Sequence, residues 1–328
     1  MKIILLKKGF TLLEVVFVIV ILGIVSSIGS SLIAQLYENY IVQNAMHRVT
    51  LKTELAVNQI VNRLTYRIGN SVITRKSNGT YIPLVDMIYD TNGTDRAVLE
   101  WIGYDNESFS SKTRPGWSGY CDVNASTAST GISTPGSRLN KITKPIIQNL
   151  SGSNSMPPLA LLFSLNGQKD GTNFQNPDCF GYDGNTSCIH QVSIRNNTTF
   201  RTNRASGGAN TMISDQYKLA WSAYAIVAVN KNALYPEDGG LRNGNIVPDA
   251  DNTPRSFDLE IRYGYQPWAG THFDDVNTPR STLIRNVTSF KYAEQGGTIR
   301  IKLCATERVG DTNSSTNVSA CKEKVVMR

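Results

Sequence analysis

Hydrophobic positions along this chain fall into three regimes, and each predicts a different element. The first is a nearly continuous apolar run. Residues 10–28 read FTLLEVVFVIVILGIVSSI, with one charge, Glu14, in nineteen positions. At about 1.5 Å of rise per residue a helix over this run spans roughly 28 Å, close to a bilayer core of about 30 Å, so the run predicts a membrane-spanning helix. The second regime keeps a helical stride: Leu32, Leu36, Tyr40, Met46, Val49, Leu55, Ile60, Leu64 and Ile68, with polar residues between them and no proline before Pro83. This pattern predicts that the helix continues as an amphipathic rod until Gly69-Asn70, a glycine-containing stop. One helix over residues 11–68 would be close to 90 Å long, at about 1.5 Å per residue.

The third regime begins beyond Ser71, where Gly, Asn, Thr and Ser become frequent and alternation with period two replaces the helical stride. Phe257, Leu259, Ile261, Tyr263 and Tyr265 alternate with Asp258, Glu260 and Arg262, and Ile299, Ile301 and Leu303 alternate with Arg300 and Lys302. Both patterns predict strands with one buried face. Residues 98–102, 159–165, 217–229 and 283–292 are further strand candidates, and the turn-rich stretches 106–137, 167–184, 196–210 and 230–254 are expected as loops. No internal repeat is visible. The predicted class is α+β: a leader over residues 1–9, the transmembrane half of a helix over 10–30, its amphipathic half over 31–69, and an antiparallel β-rich head over 70–328.

Charge fixes orientation. Lys7 and Lys8 precede the span, whereas residues 9–47 contain no Lys or Arg, so the positive-inside rule places the leader in the cytoplasm and the head across the membrane. The net charge of +7 includes Lys2, Lys7 and Lys8; without the first nine residues, 30 basic side chains face 26 acidic ones. That mild excess, with no Lys/Arg stripe interleaved with aromatics, gives no sign of a nucleic-acid partner. The five cysteines contain no CxxC pair. Cys179 to Cys188 and Cys304 to Cys321 each bracket a turn-rich loop, as short disulfide loops do in an oxidising compartment, which leaves Cys121 over; other pairings remain compatible with the sequence.

Two ordinary explanations exist for the opening segment. One is a secretory signal peptide with its cut near Gly29-Ser30-Ser31, and the other is a plain anchor. Both leave Glu14 without a purpose, and a carboxylate within an apolar span is costly without a partner. The run Lys7-Lys8-Gly9-Phe10-Thr11-Leu12-Leu13-Glu14 resembles the prepilin peptidase motif of type IV pilins and type II secretion pseudopilins. The resemblance implies recognition of Lys7, Lys8 and Gly9 by a prepilin peptidase, cleavage after Gly9, and methylation of the new amino terminus at Phe10. Glycine leaves the cut unobstructed, and the lysines hold it at the cytoplasmic face. It further implies that Glu14 pairs with the amino terminus of a neighbouring subunit during filament assembly, since buried opposite charges are tolerable only together.

The implied architecture is the pilin lollipop. The implied partners are the peptidase, other pilins or pseudopilins through the N-terminal helix, and the bacterial inner membrane, with the head periplasmic and then part of a pilus or pseudopilus. Gly23, Ser26, Ser27, Gly29, Ser30 and Ser31 form a patch of weak helix formers, suited either to melting within a filament or to close helix packing. Residues 283–292 and the strand ending at Cys304 resemble the C-terminal half of the large minor subunits, the J-type pseudopilins and W-type minor pilins. A mature length of 319 residues, after nine are removed from 328, suits a minor subunit. The K-type pseudopilin, also large, typically lacks the glutamate.

The catalytic signatures HExxH, GxSxG, GxxxxGK[ST] and a CxxC zinc pair are absent from the sequence. With His47 on the stalk, only His190 and His272 are left for a Ser-His-Asp arrangement, and the chain is expected not to be an enzyme. The alternative is a membrane-anchored periplasmic binding protein or hydrolase that uses the leader only for targeting. Glu237, Asp238, Asp249 and Asp251 offer oxygen ligands that suit Ca2+, against the plainer reading of a solvated loop. His272-Phe273-Asp274-Asp275 reads as a surface turn, and Trp268 with Tyr263 and Tyr265 as either an adhesive patch or core.

Overall fold

A computed structural model describes residues 11–76, 79–89, 98–110, 114–127, 131–163, 179–202, 213–229, 256–309 and 316–327. Three α-helices lie within them: α1 (Leu12–Thr65), α2 (Asn106–Phe109) and α3 (Lys144–Ser151). The strands in chain order are β1 (Ile73–Arg75), β2 (Tyr81–Pro83), β3 (Val98–Tyr104), β4 (Asp122–Thr127), β5 (Gly131–Ser133), β6 (Leu159–Phe163) and β7 (His190–Ile194). They continue with β8 (Thr199–Thr202), β9 (Tyr217–Val229), β10 (Phe257–Tyr265), β11 (Arg280–Gln295), β12 (Thr298–Val309) and β13 (Thr316–Val326). A long apolar helix followed by an antiparallel β-rich head makes an α+β lollipop.

Thr11 caps α1, its Oγ1 accepting the Glu14 backbone N–H at 3.3 Å. The helix runs unbroken through the glycine and serine patch, where the Ser30 and Ser31 hydroxyls donate to the carbonyls of Ser26 and Ile28 at 3.0 and 2.8 Å. It ends at Thr65, three residues short of the expected last helical residue, Ile68. Strand pairing takes over there: the Ile68 N–H donates to the Ile102 carbonyl and the Tyr104 N–H to the Tyr66 carbonyl, both at 2.9 Å. The two bonds to β3 satisfy backbone groups that a last helical turn would otherwise have used.

The strands join one sheet whose main path is β13-β12-β11-β10-β9-β6-β7-β8-β5-β4, with β3 and β1 off the other side of β9. β9 is the pivot. Ala225 lies between Arg262 of β10 and Glu100 of β3, whereas Ala220 lies between Ala160 of β6 and Tyr104 of β3. β10 and β6 therefore take successive stretches of one edge of β9, and the head divides into a lobe built on β10–β13 and a lobe built on β4–β8.

α1 lies across the inner face of β11, β12 and β13. Its buried stripe is Ala45, Val49, Thr53, Ala56, Val57, Ile60 and Leu64. Leu32, Leu36 and Tyr40 project with the stalk, clear of the described strands, while Met46 and Leu55 point to solvent, Leu55 at 61% exposure, which corrects the stripe expected for the second half. Small residues at the crossing let the helix backbone approach the sheet. Thr53 is tolerated because its hydroxyl donates to the Val49 carbonyl at 2.7 Å.

Three apolar clusters result. The first joins the α1 stripe to Trp101, Ile226, Leu259, Ile301 and Leu303. The second lies on the opposite sheet face, where Val98, Ile102, Ala225 and Trp268 pack under the loop from Cys179 to Ile189. The third fills the β4–β8 lobe around Trp117, Leu139, Phe200 and Tyr217. Tyr265 departs from its alternation: Tyr263 pairs with Tyr224 but Tyr265 with Ala223, because Gly264, at φ +76°, forms a bulge that turns Tyr265 into the second cluster. Trp268 and Tyr265 are each 2% exposed, so they are core and not an adhesive patch.

The expected loops hold regular structure in two places. Residues 106–137 contain α2, β4 and β5, and residues 196–210 contain β8. These strands are short and polar, so their sequences carry little alternation. Residues 230–254 and most of 167–184 lie outside the described residues.

Candidate functional site

The N-terminal part of α1 stands clear of the head. No residue of α1 before Ala45 is buried, and an 18-residue window within the helix reaches a mean hydropathy of 2.6 with none of it covered. Leu12, Leu13, Phe17, Ile19, Ile21 and Leu22 are each at least 58% exposed. Free energy near 25 cal/mol per Å2 of apolar surface drives such a face into lipid or against another helix. Glu14 is the charged residue within it. Its backbone N–H is capped by Thr11, its carboxylate is exposed, and the carboxylate has no ion-pair partner among the described residues. Thr11 with Glu14 is a T-x-x-E capping signature that the pattern reading missed. Lys7, Lys8, Gly9 and Phe10 lie outside the described residues.

Charged contacts seat the second half of α1 on the sheet. Arg48 Nη2 meets Glu307 Oε1 at 2.8 Å, Lys52 Nζ meets Glu307 Oε2 at 3.4 Å, and Lys322 Nζ meets Glu54 Oε2 at 3.4 Å. Lys324 donates to Asn58 and the Arg63 guanidinium sits 5.3 Å from the Tyr224 ring centroid. These contacts fix how the head is carried by the helix.

Cys304 and Cys321 face each other across β12 and β13 with their Cα atoms 4.0 Å apart and form a disulfide. Cys179 and Cys188 form the second, with Cα atoms 5.1 Å apart, closing the loop that carries Phe180 and Tyr182 over the second cluster. Cys121 is a buried free thiol with Ser126 Oγ 3.5 Å away. Burial pushes its pKa up.

Glu237, Asp238, Asp249 and Asp251, the residues suited to Ca2+, lie outside the described residues. Among the described residues no group of three or more His, Cys, Asp or Glu is placed to hold a metal. His272 and Asp275 make a turn in which the Asp275 carboxylate accepts the His272 N–H at 2.7 Å. His190 lies against the Phe163 ring at 5.1 Å and burial lowers its pKa, while His47 is exposed on α1.

Two buried carboxylates were not singled out from the sequence. Glu100, 1% exposed, accepts Arg75 Nε and Nη2 at 3.2 and 3.0 Å and the Tyr265 hydroxyl at 3.0 Å. Burial holds its carboxyl above the usual range although Arg75 pulls the other way. A lone acid within the apolar run Val98-Leu99-Glu100-Trp101-Ile102 was the available signal. Asp105 caps α2, accepting the Ser108 N–H at 3.2 Å and the Ser108 hydroxyl, and burial raises its pKa to about 6.

A cavity of about 580 Å3 opens beside the Ile68–Asn70 segment that follows α1, next to Leu162 and Phe163 of β6. Its wall is made by the start of β9, the end of β3, α2 and the Trp117–Tyr120 segment. Aromatic rings line it: Tyr104 and Trp117 meet edge to face at 6.4 Å, Phe109 tilts on Trp117 at 4.7 Å, and Trp117 on Tyr217 at 5.7 Å.

Comparison with known proteins finds a similarity at the N-terminal end of the chain. The family model of the prokaryotic N-terminal methylation motif matches residues 5–30. That motif is the prepilin-type signal, and it supports a type IV pilin or pseudopilin processed by prepilin peptidase. The match takes in residues 7–14, with Glu14, and the apolar run that follows, and stops before the head. No curated protein and no solved structure matches the chain.

Proposed function

We propose that this chain is a minor pilin or minor pseudopilin, cut after Gly9, methylated at Phe10, held in the inner membrane by α1 with its head on the periplasmic side, and incorporated into a filament or used to prime one. The observation that carries this reading is the methylation motif over residues 5–30, continuous with a helix whose apolar face the head leaves exposed. Glu14 then has a purpose. The amine freed at Phe10 on a neighbouring subunit compensates the Glu14 carboxylate, and the pair sets the axial register of stacked helices. An ordinary anchor or a targeted hydrolase has no use for that charge.

The head favours a minor subunit over a major one. A sheet of this breadth with a second lobe is bulky around the helix axis, which suits low copy number or the filament end, where fewer neighbours crowd it. A structural role in assembly, and not catalysis, follows from this reading.

The test separates processing from assembly. Glu14→Ala should leave cleavage after Gly9 unchanged while lowering the amount of the protein in the sheared or detergent-resistant filament fraction by about tenfold or more, since truncating one partner of a buried ion pair costs several kcal/mol. Immunoblots of whole-cell and filament fractions read both quantities. Unchanged incorporation would contradict the assembly role.

A further inference from the structure

We infer that the aromatic-lined cavity beside the ends of β3 and β6 is a carbohydrate-binding site. The inference is independent of how the helix is processed. The cavity, at about 580 Å3, falls within the range of small-ligand pockets.

Its chemistry selects the ligand class. The rings form a connected set, already described, that continues to Tyr66 packed edge to face on Tyr104 at 5.6 Å and to Phe163 on Tyr217 at 6.1 Å. Such edge-to-face packing fixes ring positions before any ligand arrives, which lowers the ordering cost of binding. Two of the lining rings are nevertheless open to solvent, Phe109 at 40% and Tyr120 at 50% exposure. An exposed ring face is electron-rich, and it attracts the weakly positive C–H groups on the flat side of a pyranose.

Polar groups share the wall with these rings: the amide of Gln216, which is exposed, and Lys218, whose ammonium lies 4.9 Å from the Tyr104 ring centroid, whereas the Ser118 hydroxyl is already committed to Thr134, Ser137 and the Tyr120 backbone. A ligand suited to this wall is apolar on its faces and rich in hydroxyls at its edges. That describes a sugar ring and disfavours a wholly aromatic ligand, whose edge would leave the Gln216 amide without a partner on the ligand. Trp117 is the fixed floor. It is 3% exposed and its Nε1–H is already committed to the Asp105 carbonyl at 2.9 Å, so its position does not depend on the ligand.

The experiment uses the full chain in phosphatidylcholine nanodiscs, because sugar-headed detergents would compete. Saturation-transfer NMR is recorded with maltotriose, cellotriose and trigalacturonate as probes, and with 4-hydroxybenzoate as an aromatic probe lacking sugar. At least one trisaccharide should receive saturation at its ring C–H protons. The Phe109→Ala/Tyr120→Ala double variant should weaken its binding about tenfold or more, the scale of losing an aromatic stacking partner. Gln216→Ala should weaken it less, and Tyr40→Ala on the stalk should not change it. Both substituted rings are exposed, so the fold should survive, checked by an unchanged melting temperature. Absence of transfer to all three trisaccharides would overturn the inference. Transfer undiminished in the double variant, or transfer to 4-hydroxybenzoate alone, would overturn it as well.

Discussion

Glu14 and Asp105 are both carboxylates at the start of a helix, and their surroundings send them in opposite directions. Glu14 is exposed in the first turn of α1, near the positive end of the helix dipole, and it is visible in the sequence because it interrupts an apolar run. Asp105 is 1% exposed, and burial lifts its pKa from 3.8 to about 6. Its sequence context, Tyr104-Asp105-Asn106, reads as an ordinary turn, since burial there comes from Trp117 and the third cluster. The sign of the consequence follows from linkage. The folded state holds a proton that the unfolded state has released, so Asp105 contributes stability below about pH 4 that is lost as pH rises to about 6. Glu100, shifted upward by burial against the pull of Arg75, adds a slope of the same sign. Urea denaturation of Asp105→Asn across pH 4 to 7 should give a smaller decline than the parent chain, and a gain of about 2 kcal/mol at pH 7, because the amide keeps the cap without a charge to bury.

At the scale of elements, periodicity located α1 and the strongest strands but not which residues of α1 meet the sheet. β10 and β12 alternate cleanly because each has one inner and one solvated face. β3 and β9 read as nearly continuous apolar runs because both faces are covered: Leu99 and Trp101 enter the first cluster while Val98 and Ile102 enter the second. β13 escaped notice. Its inward positions include Lys322 and Lys324, whose ammonium groups reach Glu54 and Asn58 on α1 while Val318, Ala320 and Val326 supply the apolar contact. A stride through a helix cannot report that a sheet approaches at Ala45, Thr53 and Ala56, since small residues look neutral in a hydrophobic pattern. The packing makes a direct contrast between two aliphatic positions five residues apart. Ile60→Ala, at a site with 0% exposure, should cost about 3 kcal/mol, whereas Leu55→Ala, at 61% exposure, should stay within about 0.5 kcal/mol. Denaturation in detergent micelles, followed by the emission of the buried Trp101 in the same cluster, measures both.

The whole molecule combines a short, highly specific signal with a large head that the same signal does not describe. The methylation motif was legible in a few residues because such a signal is linear in the sequence. The cavity was not, because its rings come from α2, β3, β9 and the Trp117–Tyr120 segment, which only the folded sheet brings together. The exposed half of α1 is consistent with this division: its apolar face fits membrane anchoring, and the head rides on the half that follows. The claim on which the account turns is the cut after Gly9. Intact-mass and peptide mass spectrometry of the chain isolated from membranes should find a mature protein that begins at N-methylated Phe10, and an intact Met1, or a start near Ser31 or Leu32, would contradict it.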